Sequence, residues 1–418
     1  MPDKPDLIIR NARLRRPAEG PVDIGVAQGR ITAIGGKLAA RAETEIDAQG
    51  NLVTESFVNP HLHLCKVYTL RMMQEDALRA YQGEGMGEAM AAIELAARVK
   101  EKYDQSWIIE NVRRALAQAV LHGCTHVRGF ADVDSQARLE GVKALLRARD
   151  EFADVLQLQV VAFAQDGIVR EPAAAGLLAQ ALELGADVVG GIPWIEYTEA
   201  DMLEHVRQVF DLAVKFDVPV SMLVDDAGDP GLRTLEMMVL EAIRRGWHGR
   251  ALAHHARAMG LYPRPYLHKV IALLKQAGMG VVSDPHTGPL HAPVRELLQA
   301  GALVCLGQDD ITDAYYPYGR NNLLEVAFLA SHLLWMTTSD EMETLYDMIT
   351  TSAAQAIGLP DFQLRVGSLA NLVVLDAPDV LEALRQHAEP AQVISQGKLV
   401  DRSRMRELAG GADEPPAP

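Results

Sequence analysis

Between residues 58 and 362 the chain alternates short apolar runs with longer stretches of helical periodicity, and it does so eight times. The runs are Leu52 to Leu64, Thr125 to Val127, Leu158 to Phe163, Val188 to Ile192, Val218 to Val224, Ala251 to Ala253, Gly280 to Ser283 and Ala302 to Leu306. A brief apolar run between polar boundaries reads as a strand covered on both faces. Strands that alternate with helices form a parallel sheet, and eight such units over about 300 residues match a closed (β/α)8 barrel. A doubly wound open sheet is the competing α/β architecture. Polar residues at the run ends favour the barrel: His61 and His63, Arg128, Gln165, Asp225 and Asp226, His254 and His255, Asp284 and His286, Asp309 and Asp310. A barrel gathers every strand C-terminus around one pocket, which accounts for all of them at once.

His61-Leu62-His63 closes the first run. Strand side chains alternate with period two, so both imidazoles leave on one face and can grip a single divalent ion. The ends of the chain have a different character. Leu7–Ala12, Val22–Val26, Arg30–Gly35 and Glu45–Asp47 read as short strands, and so do Leu372–Asp376, Gln392–Ile394 and Gly397–Val400. The tail from Gly410 to Pro418 has the Gly/Pro/acidic composition of a disordered segment.

Composition narrows the function classes. The 418 residues are 49% hydrophobic, enough for a large core, and carry a net charge of −16, which argues against nucleic-acid phosphate as a partner. Cys65, Cys124 and Cys305 are few, odd in number and far apart, so they suit a reducing cytoplasm rather than a disulfide framework. The start Met-Pro-Asp-Lys-Pro-Asp is not that of a signal peptide, and no uncharged apolar stretch is long enough to predict a membrane span.

Taken together, His61-Leu62-His63, His255 after the sixth run and Gly307-Gln308-Asp309-Asp310 after the eighth resemble the amidohydrolase superfamily. Within it, Val161 to Ile168, Asp187 to Pro193, and Asp309-Asp310 with Asp313 and Tyr315-Tyr316-Pro317 are similar to the cytosine deaminase branch. The superfamily also includes enzymes that remove alkylamines from triazine rings. The resemblance covers the whole chain, with Gly367 to Leu372 in the return position to a small β-sandwich. It implies a (β/α)8 barrel over 58–362 and a β-sandwich domain built from both ends, 1–57 and 363–418. It also implies one divalent metal ion, zinc or iron, that activates water toward a ring carbon bearing an amino group. Carried over by residue, His61, His63 and Asp309 are metal ligands, and Asp309 also accepts a proton. His255 orients the attack and Asp226 moves a proton to the ring. Gln165 and Asp310 contact the substrate, joined on their position by Lys66 and Trp194. The implied partner is a small heterocyclic molecule, with no nucleic acid or membrane, in a chain that the family's habit makes a candidate homo-oligomer.

The chain departs from this pattern at the fifth run. The branch has His-x-x-Glu there, whereas this chain has Leu223-Val224-Asp225-Asp226. Leu223 cannot coordinate a metal, and Asp226 is one methylene shorter than the usual acid. Three arrangements are open. A substitute ligand completes the shell, with Asp225 two residues along on the face of Leu223, and His254 or Cys65 as other donors. Alternatively, the ion is held weakly by His61, His63 and Asp309, or there is no ion and the pocket either binds a heterocycle without hydrolysing it or uses Asp225 and Asp226 for metal-free acid–base work. Met72, Met73, Met86 and Met90 suggest a lid or interface helix, with Glu75 and Asp76 on its solvated face.

Overall fold

The computed structural model describes residues 4–15, 20–72, 79, 94 and 97–410. The tail beyond Gly410, and Met73, Met86, Met90, Glu75 and Asp76 of the suggested lid, lie outside the described residues. Strands β1 (Leu7–Ala12), β2 (Val22–Ala27), β3 (Arg30–Gly35) and β4 (Thr44–Asp47) form one sheet in the order β3-β2-β1-β4. The long first run divides in two. Val53–Glu55 is β5 of the small domain, and Phe57–Leu62 is β6, the first barrel strand.

The remaining barrel strands are β7 (Cys124–Asp132), β8 (Gln157–Ala164), β9 (Val188–Gly191), β10 (Val220–Val224), β11 (Ala251–His255), β12 (Gly280–Ser283) and β13 (Val304–Leu306), each parallel to its neighbour. Their order is sequential from β6 to β13, as in a singly wound barrel. Helices α1 (Gln105–Leu121), α2 (Glu140–Phe152), α3 (Ala174–Glu183), α4 (Glu199–Phe216), α5 (Thr234–Arg244), α6 (Arg264–Ala277), α7 (Val294–Gln299) and α8 (Leu323–Leu333) follow the eight strands in turn. Each helix buries a stripe against the sheet. In α4 this stripe is His205, Val206, Val209, Phe210 and Ala213, and Thr198 caps the helix start by accepting from the Asp201 amide. The ring closes where Leu62 pairs with Asp309. His63 N donates to Asp309 O at 2.8 Å, and Asp309 N to His61 O at 3.0 Å.

After helices α9 (Ser339–Met348) and α10 (Thr351–Ala356), the chain returns to the small domain. There β14 (Leu372–Val374) pairs with β5, and β15 (Gln392–Ser395) and β16 (Lys398–Leu399) complete a second sheet, β16-β15-β14-β5. Ile9, Ile24, Val26, Leu372 and Ile394 fill the space between the two sheets. Helix α11 (Val380–Gln386) lies between β14 and β15, and α12 (Arg402–Ala409) packs on barrel helix α1 with Arg404 paired to Asp154 at 2.8 Å. Among the described residues, no helix is long and apolar enough to cross a membrane.

One strand end is misplaced by the sequence reading. β7 continues to Asp132, so Arg128 lies in mid-strand inside the barrel and not at its mouth. It donates to Gln159 Oε1 at 2.8 Å, Ser221 Oγ at 3.0 Å and Ile357 O at 3.1 Å, and burial pulls its guanidinium down to about 10. The polar residue in an apolar run is here a core residue satisfied by neutral acceptors.

Candidate active site

Ring closure brings the first and last strand ends together, and with them the polar groups. His61 Nε2 lies 3.0 Å from Asp309 Oδ1, and His63 Nε2 and His255 Nε2 each lie 3.8 Å from the same oxygen. All four side chains are buried. His255 and Asp309 have φ of 66° and 67°, left-handed values at strand ends that turn the side chains into the mouth. Burial alone would raise the Asp309 carboxyl, but His255 and His61 outweigh it and hold it well below the usual range. Burial, with Lys66 and His61, pushes His63 down, so it is a neutral donor. For His255, burial is overcome by Asp226, Asp309 and Asp284, and the imidazole is raised to about 9.

One cavity opens onto this cluster, lined by His63, Lys66, Gln165, Ile192, Trp194, Leu223, Asp226, His255, Arg257, Asp309, Asp310 and Tyr315. Lys66 Nζ donates to Gln165 Oε1 at 3.2 Å and sits 4.7 Å from the centre of the Tyr315 ring. Asp226 Oδ2 lies 3.9 Å from His255 Nε2, and Asp226 Oδ1 lies 2.8 Å from Arg257 Nε. Burial raises the Asp226 carboxyl against the opposing pull of His255 and Arg257. Asp310 is raised well above the carboxylate range by burial and by Asp309 and Asp313, so it can donate a hydrogen bond. The structure thus brings together His61, His63, Asp309, His255, Asp226, Gln165, Asp310, Lys66 and Trp194.

It does not bring Asp225. Strand β10 ends at Val224, and Asp225 has φ 48°, so the alternation that would align it with Leu223 stops one residue short. Its carboxylate turns onto the start of α5. There it accepts from Thr234 N at 2.7 Å, Thr234 Oγ1 at 2.6 Å, Leu235 N at 3.2 Å and the Tyr262 hydroxyl. Asp225 satisfies helix-terminal amides that have no partner within the helix. Cys65 also faces elsewhere, 3.4 Å from the Tyr103 hydroxyl, with burial pushing its thiol up to about 12. His254 is fully buried with its ring 4.5 Å from that of His61. Among the described residues, the buried donors whose ligand atoms approach within 4.8 Å of one another are His61, His255, Asp284 and Asp309 in one group and His63, Asp309 and Asp310 in another.

Sequence reasoning missed Arg257. It reaches the cavity through the left-handed turn at His255 and Ala256, and its Nη2 also donates to Thr287 Oγ1 at 2.9 Å. Two left-handed residues in succession leave no sequence signal, although a cation two positions after a strand-end histidine was visible.

The donor chemistry fits a divalent ion. Two imidazoles and a carboxylate converge from β6 and the loop after β13, with a third imidazole, that of His255, 3.8 Å from the same carboxylate oxygen. Three protein ligands with one position left open is the arrangement of catalytic zinc sites. Leu223, buried on the cavity wall, closes the direction from β10.

Residues 44–401 match the model of an amidohydrolase family. The N-isopropylammelide isopropyl amidohydrolase of Pseudomonas sp. (strain ADP) is 31% identical over 399 residues, covering 94% of this chain and 97% of that one. A pterin deaminase of Rhizobium rhizogenes is 25% identical over 403 residues, 91% of this chain and 88% of that one. Among solved structures, 5-methylcytosine deaminase from Klebsiella pneumoniae, liganded with phosphonocytosine, superposes with a TM-score of 0.86 at 33% identity, covering 94% of this chain and 98% of that one. The chain belongs to the amidohydrolase family, in its cytosine deaminase-like branch, and is by that membership a hydrolase.

Proposed function

We propose that this chain hydrolyses the bond between a ring carbon and its amino substituent in a small pyrimidine- or triazine-like heterocycle, releasing ammonia. The observation that carries the reading is the convergence of Asp226, His255 and Asp309 on one cavity that Lys66, Gln165, Asp310 and Trp194 also line. His61, His63 and Asp309 would hold one divalent ion, zinc or iron, which supplies Lewis acidity and lowers the pKa of water toward neutrality. Asp226 faces the cavity with its carboxyl raised and delivers a proton to a ring nitrogen. Asp309, an anion in the same space, accepts a proton from water, and His255 offers positive charge to the attacked centre. Lys66 and Gln165, already bonded to each other, read carbonyl and amide edges, while Asp310 donates to a ring acceptor. Trp194 gives the flat ring a stacking face.

Removal of an alkylamine in place of ammonia uses the same residues, and the similarity to the isopropylammelide hydrolase favours it as the second reading. The test is a panel of cytosine, 5-methylcytosine, N-isopropylammelide and pterin, scored by mass spectrometry for loss of ammonia or isopropylamine. Turnover that Asp226→Asn lowers by about 100-fold or more supports the reading. Tight binding of a panel member without turnover would replace it with a non-hydrolytic binding role. The free, buried cysteines suit a cytoplasmic setting, and light scattering reads whether the chain forms the homo-oligomer suggested by its family.

A further inference from the structure

Asp284, which helps raise the His255 imidazole, has an unusual setting of its own. It follows β12 and stands at the N-cap of a short turn, Pro285–Thr287, but its side chain makes no capping bond. An aspartate in that position ordinarily accepts from the turn's amides. Instead the carboxylate is buried and aimed into the barrel mouth, and neither oxygen accepts a hydrogen bond. Its Oδ2 lies 3.3 Å from His255 Nδ1, and one of its oxygens shares the 4.8 Å cluster with His61, His255 and Asp309. Gly307 on the next segment makes this approach possible. A Cβ there would lie 2.6 Å from Asp284 Oδ1 and 2.9 Å from the His61 Cβ. A buried carboxylate that has one imidazole beside it and accepts no amide or hydroxyl hydrogen bond is costly unless a further cation meets it. With Asp309, the cluster holds two carboxylates, the charge that one divalent ion balances.

We propose that Asp284 is a metal ligand, supplying from β12 the coordination that Leu223 withdraws from β10, so that Asp284 joins His61 and Asp309, with which it shares one cluster, in holding this chain's divalent cation. The inference rests on the metal-dependent reading above and names the shell of that same site. Its test is a Co2+ titration of the chelator-treated full chain, followed by the visible absorption of the bound ion. The wild type should take up about one ion per chain and His61→Ala none. Asp284→Asn should weaken uptake by at least about 100-fold, beyond the loss expected for a residue that only steadies a ligand, and should change the spectrum. Asp284→Cys should introduce a near-ultraviolet thiolate-to-Co2+ charge-transfer band that the wild type, with its three buried thiols, lacks. This second variant decides the matter if the asparagine variant does not fold. Unchanged affinity and spectrum in Asp284→Asn, with uptake still lost in His61→Ala, would overturn the inference and leave the metal reading standing. So would the absence of the charge-transfer band in a Co2+-loaded Asp284→Cys chain. A wild type that takes up no Co2+ overturns both.

Discussion

Two buried carboxylates at the barrel mouth face opposite circumstances. Glu196, after β9, accepts from the amides of Ile168 at 2.6 Å, Val169 at 3.1 Å and Arg170 at 2.9 Å, and lies 2.7 Å from His205 Nδ1. The loop it gathers begins at Gly167, where φ is +93° and a Cβ would lie 2.8 Å from Glu196 Oε1. Asp284, by contrast, accepts from no backbone amide and has the His255 imidazole beside it at 3.3 Å. Both side chains are closed off from water, so the contrast does not come from exposure. In one region the carboxylate is paired within the chain and so holds the loop after Gln165 in place. The other keeps its capacity unspent, as expected where an external group completes the bonding.

The largest effect belongs to the site. Asp226→Asn keeps the shape but removes the proton donor, and should lower turnover by about 10²–10⁴-fold. Thermal unfolding of the same variant should stay close to the wild type, and a large drop in melting temperature would make Asp226 a structural residue.

Glu196→Ala should show the reverse, a loss of stability of about 3 kcal/mol as several amides lose a charged acceptor, read by urea denaturation. That loss should depend on pH. Burial raises the Glu196 carboxyl, but His205 and the amides of Ile168 and Val169 outweigh it and place its folded value below the ordinary 4.5. A depressed carboxyl contributes fully above its unfolded value and loses the contribution as pH falls through the folded one. The gap between wild type and Glu196→Ala should therefore be constant above pH 4.5 and shrink below it. A gap that widens in acid contradicts the assignment.

Arg257 connects the two kinds of behaviour, because it steadies Asp226 while facing the cavity. Arg257→Leu should cut kcat by about 10- to 100-fold, the range for loss of an orienting partner. Arg257→Lys should recover only part of this, since an ammonium lacks the fork that reaches both Asp226 and Thr287. A change confined to KM would show that Arg257 binds substrate and does not position Asp226. The smallest effect is at Trp194. Loss of part of its stacking face in Trp194→Phe should cost about 0.5–1.5 kcal/mol of binding, seen as a several-fold rise in KM. Because its indole nitrogen has no hydrogen-bond partner, the melting temperature should hold or rise.

Much of the architecture was legible because the strands are short apolar runs and their ends are polar. His61 and His63 share a face for a reason that needs only period-two alternation, and the strand order follows from the repeat. The same rule misled at Asp225, because alternation ends with the strand and the left-handed turn after Val224 follows no pattern in residue type. Arg128 misled differently, since a charge within an apolar run resembles a boundary until the acceptors across the barrel are known.

The residues alone settled the repeating strand and helix pattern and the face shared by His61 and His63, and the resemblance marked Leu223 as the departure from the expected ligand pattern. These are properties of consecutive side chains and of what an alkyl group cannot bind. Ring closure through Leu62 and Asp309, the capture of Asp226 by Arg257, the turning away of Asp225 and the approach of Asp284 to His255 were decided only in three dimensions. Each depends on which groups from distant strands share a few ångströms of buried space. That sharing is set by the closure of the barrel and the backbone turn at each strand end, and neither is encoded by any short stretch of residues.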